Sequence, residues 1–209
     1  MTTKLPTTLA SFEQGAMVWS ILQEALCAVE PGEAVRRNMY LERDELHVGE
    51  RVYDLKDFDR IFVVGGGKAG APMAAAVEQI LGDRVTAGVV NVKYGHLLPS
   101  TEMPKRIIVR EAGHPSPDEN GCEGVRSMFE LLTDLTDRDL VICVISGGGS
   151  ALMVLPESGI TLDDMRGLTR LLLRCGATIN EMNAVRKHLD AVKGGQLARR
   201  AMPAQVRQP

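Results

Sequence analysis

The chain has 209 residues, a formal net charge of −3 and a hydrophobic content of 44%. This composition supports a buried core and excludes the disordered and fibrous classes of protein. No basic, aromatic-rich segment indicates nucleic-acid binding, and no run of about 20 apolar residues indicates a membrane span. The four cysteines have neither metal-ligand nor redox spacing, which is typical of reduced thiols in the cytoplasm.

The pattern of residues 1–40 predicts an N-terminal helical segment that packs on the main domain. Residues 1–10 are predicted to be irregular, and apolar residues at helical spacing predict a helix over 11–30 with Ser11 as its N-cap. A short helix is expected over 33–39. A hairpin or an extended arm is expected over 46–55.

Strands and helices are predicted to alternate from residue 60 onward. Apolar runs predict strands at 60–64, 86–92, 106–110 and 140–145, and helical patterns follow at 69–81, 118–135, 162–175, 179–189 and 192–201. Asp118 is the expected cap of the second of these helices. Continuous apolar strands are typical of a parallel sheet that is covered on both sides. The sequence therefore predicts an α/β fold, a Rossmann-like, mostly parallel sheet with helices on both faces.

The first glycine segment (residues 65–70) follows a predicted strand and runs into a helix. It contains Gly65, Gly66, Gly67, Lys68 and Gly70. Backbone N–H groups at such a helix start are expected to be unpaired and to favour an anion. A lysine there opposes the helix dipole unless an anion is bound, so we interpret Lys68 as a phosphate contact rather than an ordinary exposed lysine.

Two other interpretations of this segment remain open. Its G-x-G-x-x-G spacing matches the dinucleotide fingerprint, but the next predicted strand ends in Asn91 and Lys93 without an acidic residue for a ribose. The glycines could also serve only the geometry of a tight turn.

The second glycine segment (residues 146–150) follows the predicted strand at 140–145. It contains Ser146, Gly147, Gly148, Gly149 and Ser150. Consecutive N–H groups without bulky side chains can form an anion-binding nest, with the hydroxyls as extra donors. A flexible turn is the alternative. Because both segments follow predicted parallel strands, we expect them at the same edge of the sheet.

Four further residues are candidates for the site. His114 lies beside Pro115 after a predicted strand and is a candidate acid–base group or ligand contact, or a structural histidine. Asn183, Arg186 and Lys187 lie within about one turn of a predicted helix and are candidate ligand contacts. A solvated charged face is the alternative for that helix.

Four stretches in this order resemble the glycerate 2-kinase family, which is sometimes labelled hydroxypyruvate reductase: residues 63–70, 111–118, 145–152 and 183–189 with 193–195. The resemblance implies ATP-dependent phosphorylation of D-glycerate to 2-phosphoglycerate, assisted by Mg²⁺. It implies that residues 1–209 are a Rossmann-like N-terminal domain, that Lys68 is the catalytic lysine, and that the second glycine segment holds phosphate or the glycerate carboxylate.

The sequence departs from this family in two respects. Asp190 stands where the family usually has a small hydroxyl residue, which predicts a negative charge near the anion site. Family members are also much longer, so we expect that the C-terminal domain is missing and that this polypeptide alone turns over little substrate. No residue here is assigned to a metal.

Two alternatives to a kinase stay open at this point. One is an NAD(P)H-dependent hydroxypyruvate reductase, and the other is a non-catalytic nucleotide- or anion-binding module. The expected partner is a small-molecule substrate, with no nucleic acid and no membrane, and a homo-oligomer is compatible with the sequence.

Overall fold

A computed structural model describes residues 4–207. Three helices open this part of the chain: α1 (Thr7–Ala10), α2 (Gly15–Ala28) and α3 (Pro31–Asn38). Three strands then form an antiparallel sheet in the order β1-β2-β3: β1 (Met39–Glu42), β2 (Glu45–Val48) and β3 (Arg51–Asp54). The remaining elements are β4 (Arg60–Gly66), α4 (Gly70–Leu81), β5 (Ala87–Lys93), β6 (Ile107–Ala112), α5 (Glu119–Leu131), β7 (Asp139–Ile145), α6 (Gly149–Leu152), α7 (Leu162–Arg174), α8 (Ile179–Arg186), α9 (Gln196–Arg200) and β8 (Gln205–Arg207).

The main sheet has five strands in the order β6-β5-β4-β7-β8, and every pairing in it is parallel. The chain moves outward from β4 to β6 and then crosses back, so that β7 lies on the other side of β4. The direction of winding therefore reverses between β4 and β7. In open parallel sheets, ligands bind beyond the carboxyl ends of the strands at such a reversal.

Helices cover both faces of the sheet, which confirms the predicted α/β fold. On one face, Val63 and Val90 pack in one core with Ala74 of α4, and this core extends to α3 and the small antiparallel sheet. On the other face, Val64 packs in a second core with Val125 of α5 and with residues of α9. The alternation of inward and outward side chains along each strand thus supplies two cores, as expected for a sheet buried on both sides.

The prediction that Ser11 caps a long first helix is wrong. The Ser11 hydroxyl donates to the Thr8 carbonyl oxygen at 2.8 Å and closes the short helix α1, so that α2 begins only at Gly15. A serine side chain that bonds to a nearby carbonyl competes with continuation of a helix. Of the segment predicted to be irregular, residues 7–10 are helical, and residues 1–3 lie outside the described residues.

Three later helices are shorter than predicted, and the one expected over 179–189 ends at Arg186. The helix expected over 192–201 begins only at Gln196, because Gly194 and Gly195 have φ angles of 63° and 87° and interrupt the right-handed backbone. The helix that begins after Asp118 ends at Leu131 instead of near residue 135. The capping prediction itself is confirmed, since the Asp118 carboxylate accepts from the Gly121 N–H at 3.0 Å.

The hairpin expected near residues 46–55 is part of a three-stranded sheet that begins at Met39. Among the helices of residues 4–207, none has the length and apolar character needed to cross a membrane.

Candidate functional site

The two glycine segments meet at the reversal in strand order, as predicted. Strands β4 and β7 end side by side, with Gly66 paired to Ile145. The N–H of Lys68 donates to the carbonyl oxygen of Gly147 at 2.8 Å, and the N–H of Ala69 donates to the hydroxyl oxygen of Ser146 at 3.1 Å. The first segment therefore lies directly on the second.

Glycine is required in the first segment because the neighbouring chain approaches so closely. A Cβ atom on Gly65 would lie 2.0 Å from the carbonyl oxygen of Val144, and one on Gly67 would lie 2.1 Å from the hydroxyl oxygen of Ser146. Gly65 and Gly67 also have φ angles of 155° and 150°, which L-residues rarely adopt. These glycines allow the contact between the two segments.

The expectation that the first segment offers unpaired amides to an anion is wrong. Besides Lys68 and Ala69, the N–H of Gly67 donates to the Asn91 carbonyl oxygen at 3.0 Å, and the N–H of Gly70 donates to the Gly67 carbonyl oxygen at 3.1 Å. The amides of four successive residues thus bind protein acceptors. Sequence alone could not reveal this, because three of the four acceptors, on Asn91, Gly147 and Ser146, lie far from this segment along the chain.

The second segment retains free donors. The N–H groups of Gly147, Gly148 and Ser150 have no acceptor among residues 4–207, and neither has the Ser150 hydroxyl. Gly148 has a φ of 93°, and the chain turns there into α6. Three backbone donors and one hydroxyl within four residues are the donor set that an anion-binding turn requires.

Lys68 and His114 lie against one side of the second segment. A Cβ atom on Gly148 would lie 3.1 Å from Nε2 of His114 and 3.3 Å from Cγ of Lys68. The Lys68 side chain is exposed, and no carboxylate of residues 4–207 forms an ion pair with its ammonium group. Its main-chain carbonyl lies 3.0 Å from Nδ1 of His96. The Lys68 side chain, whose ammonium group is unpaired, therefore lies beside the segment that carries the free amides.

A cavity of about 770 Å³ opens on the other side of the second segment. Asn183, Arg186 and Lys187 of the α8 region line it together with this segment. Arg186 donates to the carbonyl oxygen of Ser150 at 3.1 Å and so connects α8 to the segment. The apolar part of the lining consists of Cys143, Ile145, Met153, Val192, Leu197, Ala198 and Val206.

The structure thus brings the predicted residues together around one turn, but on two sides of it. Ser146, Gly148, Gly149 and Ser150 line the cavity with the three α8-region residues, whereas Lys68 and His114 do not. Gly65, Gly66, Gly67 and Gly70 do not line the cavity, and their closest neighbours belong to β7, β5, Ser146 and Met153. Contact of any of these residues with a ligand stays a prediction.

Asp190 does not present an open negative charge to the site, contrary to the expectation from sequence. Its side chain is fully buried and forms an ion pair with Lys193, and its carboxylate accepts from the Val192 N–H at 2.9 Å. Lys193 itself lines the cavity. Two signals pointed to this residue: the opposite charge of Asp190 three residues before it, and its place in the last stretch that carries the family resemblance.

The dinucleotide interpretation is not supported by this geometry. Asn91, at the position expected for a ribose-binding acid, is fully buried, and its amide donates to the carbonyl oxygens of Gly121 and Leu152 at 2.9 and 2.8 Å. It therefore cannot reach a ribose. The amides of the first glycine segment are likewise occupied and are not free to hold a pyrophosphate.

The titratable groups near the cavity include one thiol and one ammonium group with perturbed pKa values. Burial raises the pKa of Cys143, which lines the cavity, to about 11, so this thiol is a poor nucleophile at neutral pH. Burial lowers the pKa of Lys193 from its usual value, and the charge of Asp190 opposes that shift. Within the described part of the chain, no group of three or more histidine, cysteine or acidic side chains is arranged to hold a metal ion.

Comparison with sequence families gives one match over most of the chain. Residues 17–208 match a family described as a domain of unknown function, DUF4147. The match includes both glycine segments and the cavity-lining helix α8.

Individual relatives carry two kinds of name. A protein of Agrobacterium vitis named "Putative hydroxypyruvate reductase" is 48% identical over 147 residues, which are 70% of this chain and 33% of that protein. A glycerate 2-kinase of Pyrococcus horikoshii is 42% identical over 179 residues, which are 86% of this chain and 39% of that protein. This chain therefore spans well under half the length of either relative.

A solved structure shares the fold. The crystal structure of a glycerate kinase from Thermotoga maritima superposes with a TM-score of 0.76 at 38% sequence identity, and the match covers 90% of this chain and 42% of that one.

Proposed function

This chain belongs to the family described as a domain of unknown function, DUF4147, and we propose that it is the nucleotide- and glycerate-handling part of a glycerate 2-kinase. Relatives with that name from two organisms are 42% and 45% identical to it. The proposed reaction transfers the γ-phosphoryl group of ATP to the 2-hydroxyl of D-glycerate.

One observation carries this proposal beyond the resemblance. The unpaired Lys68 cation lies along the second glycine segment, where three N–H groups have no acceptor among the described residues. Phosphoryl transfer depends mainly on positioning and on stabilisation of charge on the transferred group. A lysine and free amides around one turn are suited to that task, and the closed first segment holds the lysine in place.

The size of the cavity supports binding of the two substrates on different sides of the turn. Its volume of about 770 Å³ lies within the range of pockets that take cofactor-sized ligands, and its wall is largely apolar. D-Glycerate is a three-carbon acid that would leave most of this space empty. We therefore assign the nucleotide to the cavity, with Arg186 and Lys187 near its phosphates, and D-glycerate to the side of Lys68 and His114.

In this arrangement the 2-hydroxyl oxygen of D-glycerate attacks the γ-phosphorus, and the bond from that phosphorus to the leaving oxygen of ADP breaks. Lys68 stabilises the negative charge on the transferred group. His114, whose ring lies against Gly148, accepts the proton from the attacking hydroxyl.

The resemblance also implies Mg²⁺, which usually reaches a kinase site through one or two carboxylates and the substrate phosphates. The part of the chain that the structure describes offers no acidic cluster beside the turn. No residue of this chain is therefore assigned to the metal, and no step is derived through it.

The test of this proposal is a comparison of Lys68→Met with Lys105→Met in the 209-residue chain. Lys105 is exposed and does not line the cavity, so its loss controls for the removal of one positive charge. We expect calorimetry to detect ATP binding to the wild-type chain, and a loss of about tenfold or more in affinity for Lys68→Met only, because a hydrogen bond to a charged group is lost. Equal ATP affinities for all three proteins would remove Lys68 from the site.

The reductase and binding-module alternatives give different results in solution. The name of the A. vitis relative supports testing a reductase. Consumption of NADPH in the presence of hydroxypyruvate would favour it over a kinase. A coupled assay for 2-phosphoglycerate separates the kinase from the non-catalytic module. The module would bind ATP without forming product, even when the remaining part of a longer relative is added.

A further inference from the structure

Lys193 has an unusual environment for a lysine on the wall of a cavity. Only 16% of its side chain is exposed, and its ammonium group donates to the Met153 carbonyl oxygen at 2.8 Å and to the fully buried carboxylate of Asp190. The residue lines the cavity that is assigned above to the nucleotide. A buried charge of this kind is costly to desolvate, so its retention requires a strong partner.

The ammonium group has three N–H donors, and the structure accounts for two of them. No acceptor for the third is present among residues 4–207. Asp190 is fixed in turn by the N–H of Val192 at 2.9 Å and by that of Leu155 at 3.4 Å. The lysine is therefore held rigidly, at the boundary of the cavity, with one donor to spare.

We propose that this spare donor of Lys193 binds a phosphate group of the nucleotide, and that Asp190 is the positioning residue that holds the ammonium group in place. This inference rests on the proposed function, because it assumes that the cavity takes a nucleoside polyphosphate. It adds a third cation to Arg186 and Lys187, which also line the cavity.

Preorganisation is the physical advantage of this arrangement. A free surface lysine loses rotamer entropy when it binds a phosphate, whereas Lys193 is already ordered by two hydrogen bonds. Its low exposure also limits the screening of its charge by salt. Burial lowers the pKa of Lys193, and a phosphate bound beside it would offset that shift because an opposite charge favours the charged form.

The experiment measures the affinities of the 209-residue chain for ATP, inorganic tripolyphosphate and adenosine by calorimetry. For Lys193→Met we expect ATP and tripolyphosphate to bind about tenfold more weakly or worse, since one charge-assisted hydrogen bond is lost. The affinity for adenosine should stay unchanged. Lys105→Met is the matched control and should bind all three ligands as the wild type does.

Two further variants guard against misfolding. Lys193→Met alone leaves the buried Asp190 charge unpaired, so the double variant Asp190→Asn with Lys193→Met removes both charges and should show the same loss. Asp190→Asn alone keeps the Lys193 cation but removes the carboxylate that holds its ammonium group in place. It should lower the ratio of ATP to adenosine affinity, whereas a merely structural defect would weaken both ligands together.

Two outcomes would overturn the inference in different ways. If the wild type binds ATP and the folded double variant binds it equally well, Lys193 is not a phosphate ligand and the proposed function stands. If the wild type binds neither ATP nor tripolyphosphate, the proposed function fails and the inference fails with it.

Discussion

Gly67 is the position at which a single methyl group should separate the two glycine segments. In Gly67→Ala, the new Cβ atom would lie 2.1 Å from the Ser146 hydroxyl oxygen and 2.8 Å from the Ser146 carbonyl oxygen. Neither distance is tolerable for a carbon atom, and one of the two atoms is backbone. The segments must therefore move apart.

The structure sets the size of the effect. Separation breaks the hydrogen bonds from the Lys68 N–H to Gly147 and from the Ala69 N–H to Ser146, each worth about 0.5–1.5 kcal/mol. The φ of 150° adds strain of about 1–3 kcal/mol for a residue with a side chain. We expect the free energy of unfolding to fall by about 2–6 kcal/mol.

Urea unfolding followed by circular dichroism measures this change, with Gly82→Ala as the matched control. Gly82 has a φ of 56°, and a Cβ atom there would meet no atom within 4 Å. Its substitution therefore carries only the backbone strain, about 1–3 kcal/mol. A loss for Gly67→Ala no larger than that of the control would show that the close contact between the two segments does not exist.

Two more predictions concern titratable groups. Hydrogen bonds from Arg60 hold the pKa of Asp139 below its usual 3.8, against the effect of burial, so this pair stabilises the fold above that pH and its contribution disappears as the pH falls through the lower, folded-state pKa. Asp139→Asn should be less stable at pH 7 and should flatten the acid limb of a stability curve; an unchanged limb would contradict the pairing. Burial raises the pKa values of Cys122 and Cys143 to about 11; iodoacetamide at pH 8 should therefore label only the two exposed cysteines quickly, and all four in urea. Fast labelling of Cys143 in the native state would show that the sheet opens, and fast labelling of Cys122 would show that α5 does.

Much of the sheet could be predicted because its strands are continuous apolar runs. Each of the four predicted strands from residue 60 onward is present, with ends that differ by at most two residues from the prediction. Local signals also identified the cap at Asp118. Helix ends were harder, since Gly194 and Gly195 lie inside a helical pattern and only their left-handed φ angles show that the helix starts after them.

The residues of the site could be predicted from sequence, but the hydrogen bonds among them could not. Strand ends and glycines indicated that the two segments would meet at one edge of the sheet. The N–H groups of the first segment donate to oxygens of Asn91, Gly147 and Ser146, and these bonds depend on distances between parts of the chain that are far apart in sequence. The same holds for Lys193, whose role depends on the fold around Asp190 and Met153.

The pairing of β4 with β7 has a consequence for how the molecule acquires its binding turn. Arg60 and Asp139, which open these neighbouring strands, are 79 residues apart. The entropy of closing so long a loop must be overcome before the strands can join, so this contact belongs among the slower events of folding. A chain still emerging from the ribosome, with β7 not yet made, holds no such turn. A molecule that recognises the finished turn selects the fully folded population and raises the melting temperature of the whole sheet.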